Sequence, residues 1–181
     1  MKKLKLWHAF PILALLVGFS LSCTKDYEID LGFEITVPDD WVYFTLANEG
    51  YVYTAERTPV NEMDTLREYL AIYKESLPGY TLSTYYSAIK DKLLLSDNYV
   101  STLEEKDTTI NGADTKRIIF NEIGKYVTSE RDTIDLDLIS TMYLFYQSSI
   151  GYNLSFVSLD STYEDAKPVF DDIISTFRIN N

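Results

Sequence analysis

"NYVSTLEEKDTTINGADTKRIIFNEIGKYV", residues 98–127, decides the fold, because two runs of strand chemistry meet there at Asn111-Gly112. Both residues tolerate the positive φ that a two-residue hairpin turn requires, and the flanks are rich in β-branched side chains. Downstream, "ISTMYLFYQSSIGYNLSFVSL" (139–159) reads as a second hairpin turning near Ser148 to Gly151. The later half of the chain is therefore expected to be an antiparallel meander.

A helix is expected to close the chain. Ser161 is placed to cap it with Glu164 three residues on, and Val169, Phe170, Ile173, Ile174 and Phe177 form one wide apolar face. Pro168 either starts the main helix or kinks it. Such a helix packs on the sheet.

Upstream of the hairpin, Leu66, Tyr69, Leu70 and Tyr73 fall at i, i+3, i+4 and i+7, which predicts a helix from Asn61 that Pro78-Gly79 stops. A second helix is expected from near Ser83, burying Tyr86, Ile89 and Leu93. Ahead of these, "GFEITVPDDW" (32–41) reads as a strand in which Phe33, Ile35 and Val37 alternate with Glu34 and Thr36. Its Pro38-Asp39-Asp40 turn delivers Trp41. "VYFTLANEGYVYTAERT" (42–58) then gives two strands joined around Asn48-Glu49-Gly50. Strands, two helices, a meander and a closing helix make an α+β domain.

This order resembles the PsbP/Mog1-like superfamily, which includes bacterial PsbP-related lipoproteins. The likeness is carried by the first strand with Pro38 and Trp41, by "YNLSFVS" (152–158) and by "PVFDDIISTFRI" (168–179), and it spans nearly all of residues 32–180. The resemblance implies a central, mostly antiparallel sheet flanked by helices on both faces, an α/β/α sandwich. It also implies a non-catalytic accessory or partner-binding module, the role members play in photosystem assembly or small-GTPase regulation. No partner-binding motif of either branch is matched, so the fold transfers more readily than the function.

The first residues, "MKKLKLWHAFPILALLVGFSLSC", follow the order of an export signal: Lys2, Lys3 and Lys5, an apolar stretch, then small residues before Cys23. The stretch from Trp7 to Leu21 falls short of the roughly 20 residues a spanning helix needs. The run Ser20, Leu21, Ser22, Cys23 resembles a bacterial lipobox, with leucine one place nearer the cysteine than usual. Cleavage between Ser22 and Cys23 would make Cys23 the lipid-bearing N-terminus; ordinary signal-peptide cleavage at the same bond is the alternative, and it would leave a lone exported thiol. The chain thus divides into a signal (1–22), a tether (23–31) and an α+β domain (32–181). In the tether, "TKDYEID" (24–30) resembles the lysine-plus-acid address that sends some lipoproteins to the outer face of the outer membrane, although a solvated spacer has the same composition. The expected location is the bacterial cell envelope, at the outer membrane on its periplasmic or surface face, with the membrane contacted through the lipid.

Of the 181 residues, 28 are acidic and 16 basic, and the signal carries three of the basic ones; the remaining 159 residues therefore hold 13 basic against 28 acidic side chains. A charge of −15 with no basic stripe disfavours nucleic acid. His8, the only histidine, lies in the signal, so the domain has no Ser-His-Asp or Cys-His pair and no zinc site of the usual His/Cys type. No cofactor, metal or catalytic residue is assigned, and the partner is expected to be a protein or a small ligand.

Carboxylate chemistry is the surviving catalytic alternative, as in hydrolysis of polysaccharide or envelope glycan by paired acids. Asp132, Asp135 and Asp137, and Glu164, Asp165, Asp171 and Asp172, supply candidates. For the first group a solvated hairpin loop or a calcium site is open, without the EF-hand pattern. For the second, Glu164 and Asp165 suit a helix N-terminus. The 15 tyrosines suit an interface or a carbohydrate platform, but Tyr43, Tyr51, Tyr53, Tyr143, Tyr146 and Tyr152 lie in expected strands, where tyrosine serves the sheet.

Overall fold

Residues 32–44, 51–59, 68–127 and 132–180 are described by the computed structural model, the side chains of 43, 44 and 127 excepted. In chain order they form β1 (Phe33–Glu34), β2 (Trp41–Phe44), β3 (Tyr51–Arg57), β4 (Tyr69–Ser76), α1 (Leu82–Leu94), β5 (Tyr99–Ile110), β6 (Ala113–Val127), β7 (Thr133–Gln147), β8 (Ile150–Leu159), α2 (Tyr163–Thr176) and β9 (Arg178–Ile179). The expected signal, the tether, Ser22 and Cys23 lie outside the described residues.

The Asn111-Gly112 turn joins β5 to β6 with φ of 51° and 84°, and Ile110 pairs with Ala113 across it. β7 and β8 form the second hairpin through Ser148 and Ser149, both at positive φ. β2 and β3 pair antiparallel, as read from residues 42–58. One seven-stranded sheet results, ordered β2-β3-β4-β8-β7-β6-β5 with every neighbour antiparallel, and β1 pairs separately with β9.

The helix expected from Asn61 to its stop at Pro78-Gly79 is corrected where it is described: residues 69–76 are the strand β4, between β3 and β8. Leu70, Ala71 and Ile72 are all buried in succession because β4 is central and covered on both sides. A strand buried on both faces loses its period of two, and its apolar run then mimics a helical stripe. Residues 61–67 lie outside the described residues.

α1 forms where a helix was expected, with a capping box between Thr81 and Thr84 rather than a start at Ser83. It buries Tyr85 and Ile89, whereas Tyr86 is half-buried and turns its hydroxyl to Glu105. α2 begins at Tyr163 with Thr162 as N-cap and no side-chain cap bond, so Ser161 does not cap it; a 3-10 turn, Asp160–Thr162, feeds the chain in directly. Pro168 lies inside the helix and does not start it. Of the expected apolar face, Phe170, Ile173, Ile174 and Phe177 are buried, and Val169 is exposed.

The fold is α+β and mostly sheet. Phe170, Ile173, Ile174 and Phe177 pack with Tyr143, Phe145, Leu154 and Phe156, while Tyr85 and Ile89 pack with Leu144. Adjacent residues of β7 thus meet different helices, because side chains alternate along a strand. α1 meets the sheet mainly at β6 and β7, so the layer on its side is a single helix over part of the sheet.

Both ends of the described chain enter the larger core. Phe33 packs against Phe177 at 5.6 Å between ring centroids, and Phe177 against Phe145 at 4.8 Å. The Asn180 N–H donates to the Gly32 carbonyl at 3.1 Å, closing the β1–β9 pair. From there residues 32–41 run back along α2: Thr36 N–H donates to Thr176 Oγ1 at 2.8 Å, and Trp41 reaches Phe170. Gly32 therefore lies beyond the C-terminal end of α2, whereas Trp41 stands beside Phe170, six residues or about 9 Å back along the axis from Thr176.

Candidate functional site

The turn of "VPDDW" builds one wall of a pocket. Trp41 N–H donates to the Pro38 carbonyl at 3.0 Å, and Thr58 N–H donates to the Asp40 carbonyl at 2.9 Å, which fixes the turn to the end of β3. The Trp41 indole is 6% exposed and meets the Phe170 ring edge-on at 6.5 Å. Phe156 supports Phe170 from below at 4.9 Å.

α2 supplies the opposite wall. Asp165, Ala166, Val169 and Phe170 fall at i, i+1, i+4 and i+5, one side of a helix, and with Pro38 and Trp41 they enclose about 250 Å³. At the mouth the Arg57 guanidinium pairs with the Glu68 carboxylate at 2.5 Å, and their backbones are joined by Arg57 N–H to the Glu68 carbonyl at 3.0 Å. Asp40 and Asp165 complete the rim, so three carboxylates face one guanidinium that is already paired. The floor is apolar and the mouth is acidic.

The expected acids are distributed unevenly around this site. Asp165 lines it; Glu164 and Asp172 are exposed on α2, and Asp171 pairs with Lys167 at 2.6 Å. Asp135 and Asp137 are exposed on β7, with Lys125 opposite Asp135, so that part of the expected hairpin loop is strand. Asp132 is exposed immediately before β7. No group of three or more metal-ligating side chains suited to an ion occurs among the described residues, and no described helix is long and apolar enough to cross a membrane.

Arg57 and Glu68 were not singled out in the sequence. They lie 11 residues apart, and only the pairing of β3 with β4 brings them together. Two further polar clusters occur on the sheet. Glu104 accepts from Arg117, whose guanidinium holds its carboxyl below the usual range. Glu105 accepts from Lys90 and Tyr86, and Lys90 first and Tyr86 second lower its carboxyl likewise.

At the other end of the domain, a polar cleft of about 530 Å³ separates the start of α1 from the β5–β6 hairpin, and Lys116 and Asp107 pair across its wall. Its helix start is satisfied internally by the Thr81–Thr84 capping box. Of these two, the smaller pocket by Trp41 is the one with the more apolar lining.

No family model and no curated protein matches the sequence. Among solved structures the chain is similar to LpqN, described as involved in cell envelope biogenesis of Mycobacterium tuberculosis, with 11% identity, 82% of this chain and 83% of that chain covered, and a TM-score of 0.58. It is also similar to cyanobacterial PsbP (CyanoP) from Synechocystis sp. PCC 6803, with 12% identity, 82% and 86% covered, and a TM-score of 0.54. Identities this low speak for the fold alone. Together with the sheet order and the closing helix, they establish that the chain has a PsbP-like fold.

Proposed function

We propose that the chain is a lipid-anchored, non-catalytic binding or accessory module of the bacterial cell envelope, held to a membrane through Cys23. The pocket between Trp41 and α2 carries the binding part of this reading. At about 250 Å³ it is below the roughly 300–1,000 Å³ of cavities that engulf a whole small molecule, and it suits one inserted side chain. Similarity to LpqN, described as involved in cell envelope biogenesis, supports the location.

The geometry of attachment agrees with this role. Eight residues, 24–31, separate Cys23 from Gly32, nine steps that reach at most about 32 Å, and Gly32 lies beyond the C-terminal end of α2, away from Trp41. A tether that joins the domain at Gly32 enters away from the residues that line the pocket. In the finer form of the fold assignment the sheet is the middle layer of an α/β/α sandwich; the split of Leu144 and Phe145 between α1 and α2 supports it.

A carboxylate-dependent hydrolase needs one acid whose carboxyl is raised so that it stays protonated at work. At the Trp41 pocket the Glu68 carboxylate is engaged by Arg57 in an ion pair. The test is a Cys23→Ala variant compared with wild type by membrane fractionation. Wild type should partition with membranes and the variant with the soluble fraction. Equal partitioning would refute the anchor, and release of reducing sugar from envelope glycan, lost in Asp165→Asn, would refute the non-catalytic reading.

A further inference from the structure

The outer side of α2 continues the Trp41 pocket as a stripe. Asp165, Pro168, Val169 and Asp172 are all exposed and fall at i, i+3, i+4 and i+7, a single line along a helix. Val169, 36% exposed, belongs both to this line and to the pocket wall. The two carboxylates are seven residues apart, about 10 Å along the axis, and they bracket the two apolar side chains. Asp40 adds a third carboxylate at the pocket mouth.

Chemistry narrows the occupant. An anion would meet Asp40, Asp165 and Asp172, while Arg57, the cation at the mouth, is engaged by Glu68. A sugar ring stacks on an exposed aromatic face, and the Trp41 indole is a buried floor. A free small cation would fill the pocket but leave Pro168 and Val169 uncovered. A protein segment covers both.

We propose that the Trp41 pocket and the Asp165–Asp172 stripe form one docking surface for an extended segment of a partner protein, in which an apolar anchor is bracketed by two basic residues. An extended chain rises about 3.3 Å per residue, so basic residues three positions apart span the same 10 Å as the two carboxylates. The apolar side chain between them enters the pocket past Val169, and the charge pairs at the rim set specificity and encounter rate. This rests on the binding-module reading and names its partner class.

The test uses the full chain in detergent and fluorescence anisotropy of labelled peptides. The probe carries Arg-Leu-Gly-Arg between glycines; one control replaces both arginines by glutamate and another replaces the leucine by glycine. The probe should bind at least about tenfold tighter than either control, and tighter in low salt than in high salt. Val169→Lys, with its melting curve compared with wild type to check the fold, should abolish binding, and Asp165→Asn with Asp172→Asn should weaken it by about fivefold or more. Equal binding of probe and controls, absence of binding, or indifference to these variants would overturn the proposal. Because the chain is in detergent, a Cys23 that carries no lipid alters none of these outcomes, so failure of the anchor and failure of the docking surface are read separately.

Discussion

Asn111 donates its side-chain amide to the Phe177 carbonyl at 2.8 Å, and the same nitrogen reaches the Ser175 carbonyl at 2.8 Å. Carbonyls in the last turn of a helix have no intrahelical partner, and here the tip of the β5–β6 hairpin supplies one. One residue thus fixes a turn by its φ of 51° and pins that turn to α2 by its side chain.

Two substitutions separate these roles. Asn111→Gly keeps the backbone conformation and removes both hydrogen bonds, and it should cost about 1–3 kcal/mol. Asn111→Ala adds left-handed strain of about 1–2 kcal/mol and should be the less stable of the two. Urea denaturation reads both, and a glycine variant as stable as wild type would contradict the tether.

Gly151 lies beneath the Tyr85 ring, where a Cβ would stand 2.8 Å from Tyr85 Cζ and 3.0 Å from Leu77 Cδ1. Gly151→Ala should therefore push α1 off the sheet at a cost of about 1–3 kcal/mol. The Tyr85 hydroxyl is buried without a hydrogen-bond partner, and its phenol is pushed up first by burial and then by Glu75 and Tyr73. Tyr85→Phe should consequently be neutral or stabilising by about 1 kcal/mol, and thermal melts should show a loss for Gly151→Ala and none for Tyr85→Phe.

Glu105, Lys90 and Tyr86 predict a pH dependence at both extremes. The Glu105 carboxyl is lowered from its usual 4.5, so its contribution is present above that value and lost as pH falls through the lower folded one. Tyr86 is raised from 10.0 by burial and by Glu105, so its contribution is present below 10.0 and lost as pH rises through the folded value. Melting temperature against pH should fall off less steeply in acid for Glu105→Gln than for wild type. Parallel acid limbs would contradict the assignment.

Local chemistry was legible wherever one or two residues dictate a conformation. Asn111-Gly112, the Pro38–Trp41 turn and the apolar side of α2 carry their own signals, and the structure places the two turns as read and buries Phe170, Ile173, Ile174 and Phe177 of the helix. β4 was misread because Leu70, Ala71 and Ile72 are buried by strands distant in sequence, β8 among them. Val169, read as part of the apolar face, is exposed; periodicity cannot tell the edge of such a face from its centre. The rim pair Arg57–Glu68 depends on strand register, which no local pattern in residues 51–76 announces. Tyrosine divides in the same way: Tyr85, Tyr143 and Tyr152 are core, whereas Tyr51 and Tyr69 are exposed.

Attachment through Cys23 is the claim on which the proposed membrane anchoring of the domain rests. Intact-mass spectrometry of the native protein extracted from membranes tests it most directly. The account predicts a chain beginning at Cys23 with the added mass of a diacylglyceryl thioether and an N-acyl group. A chain beginning at Cys23 with a free thiol, or one that retains residues 1–22, would contradict it.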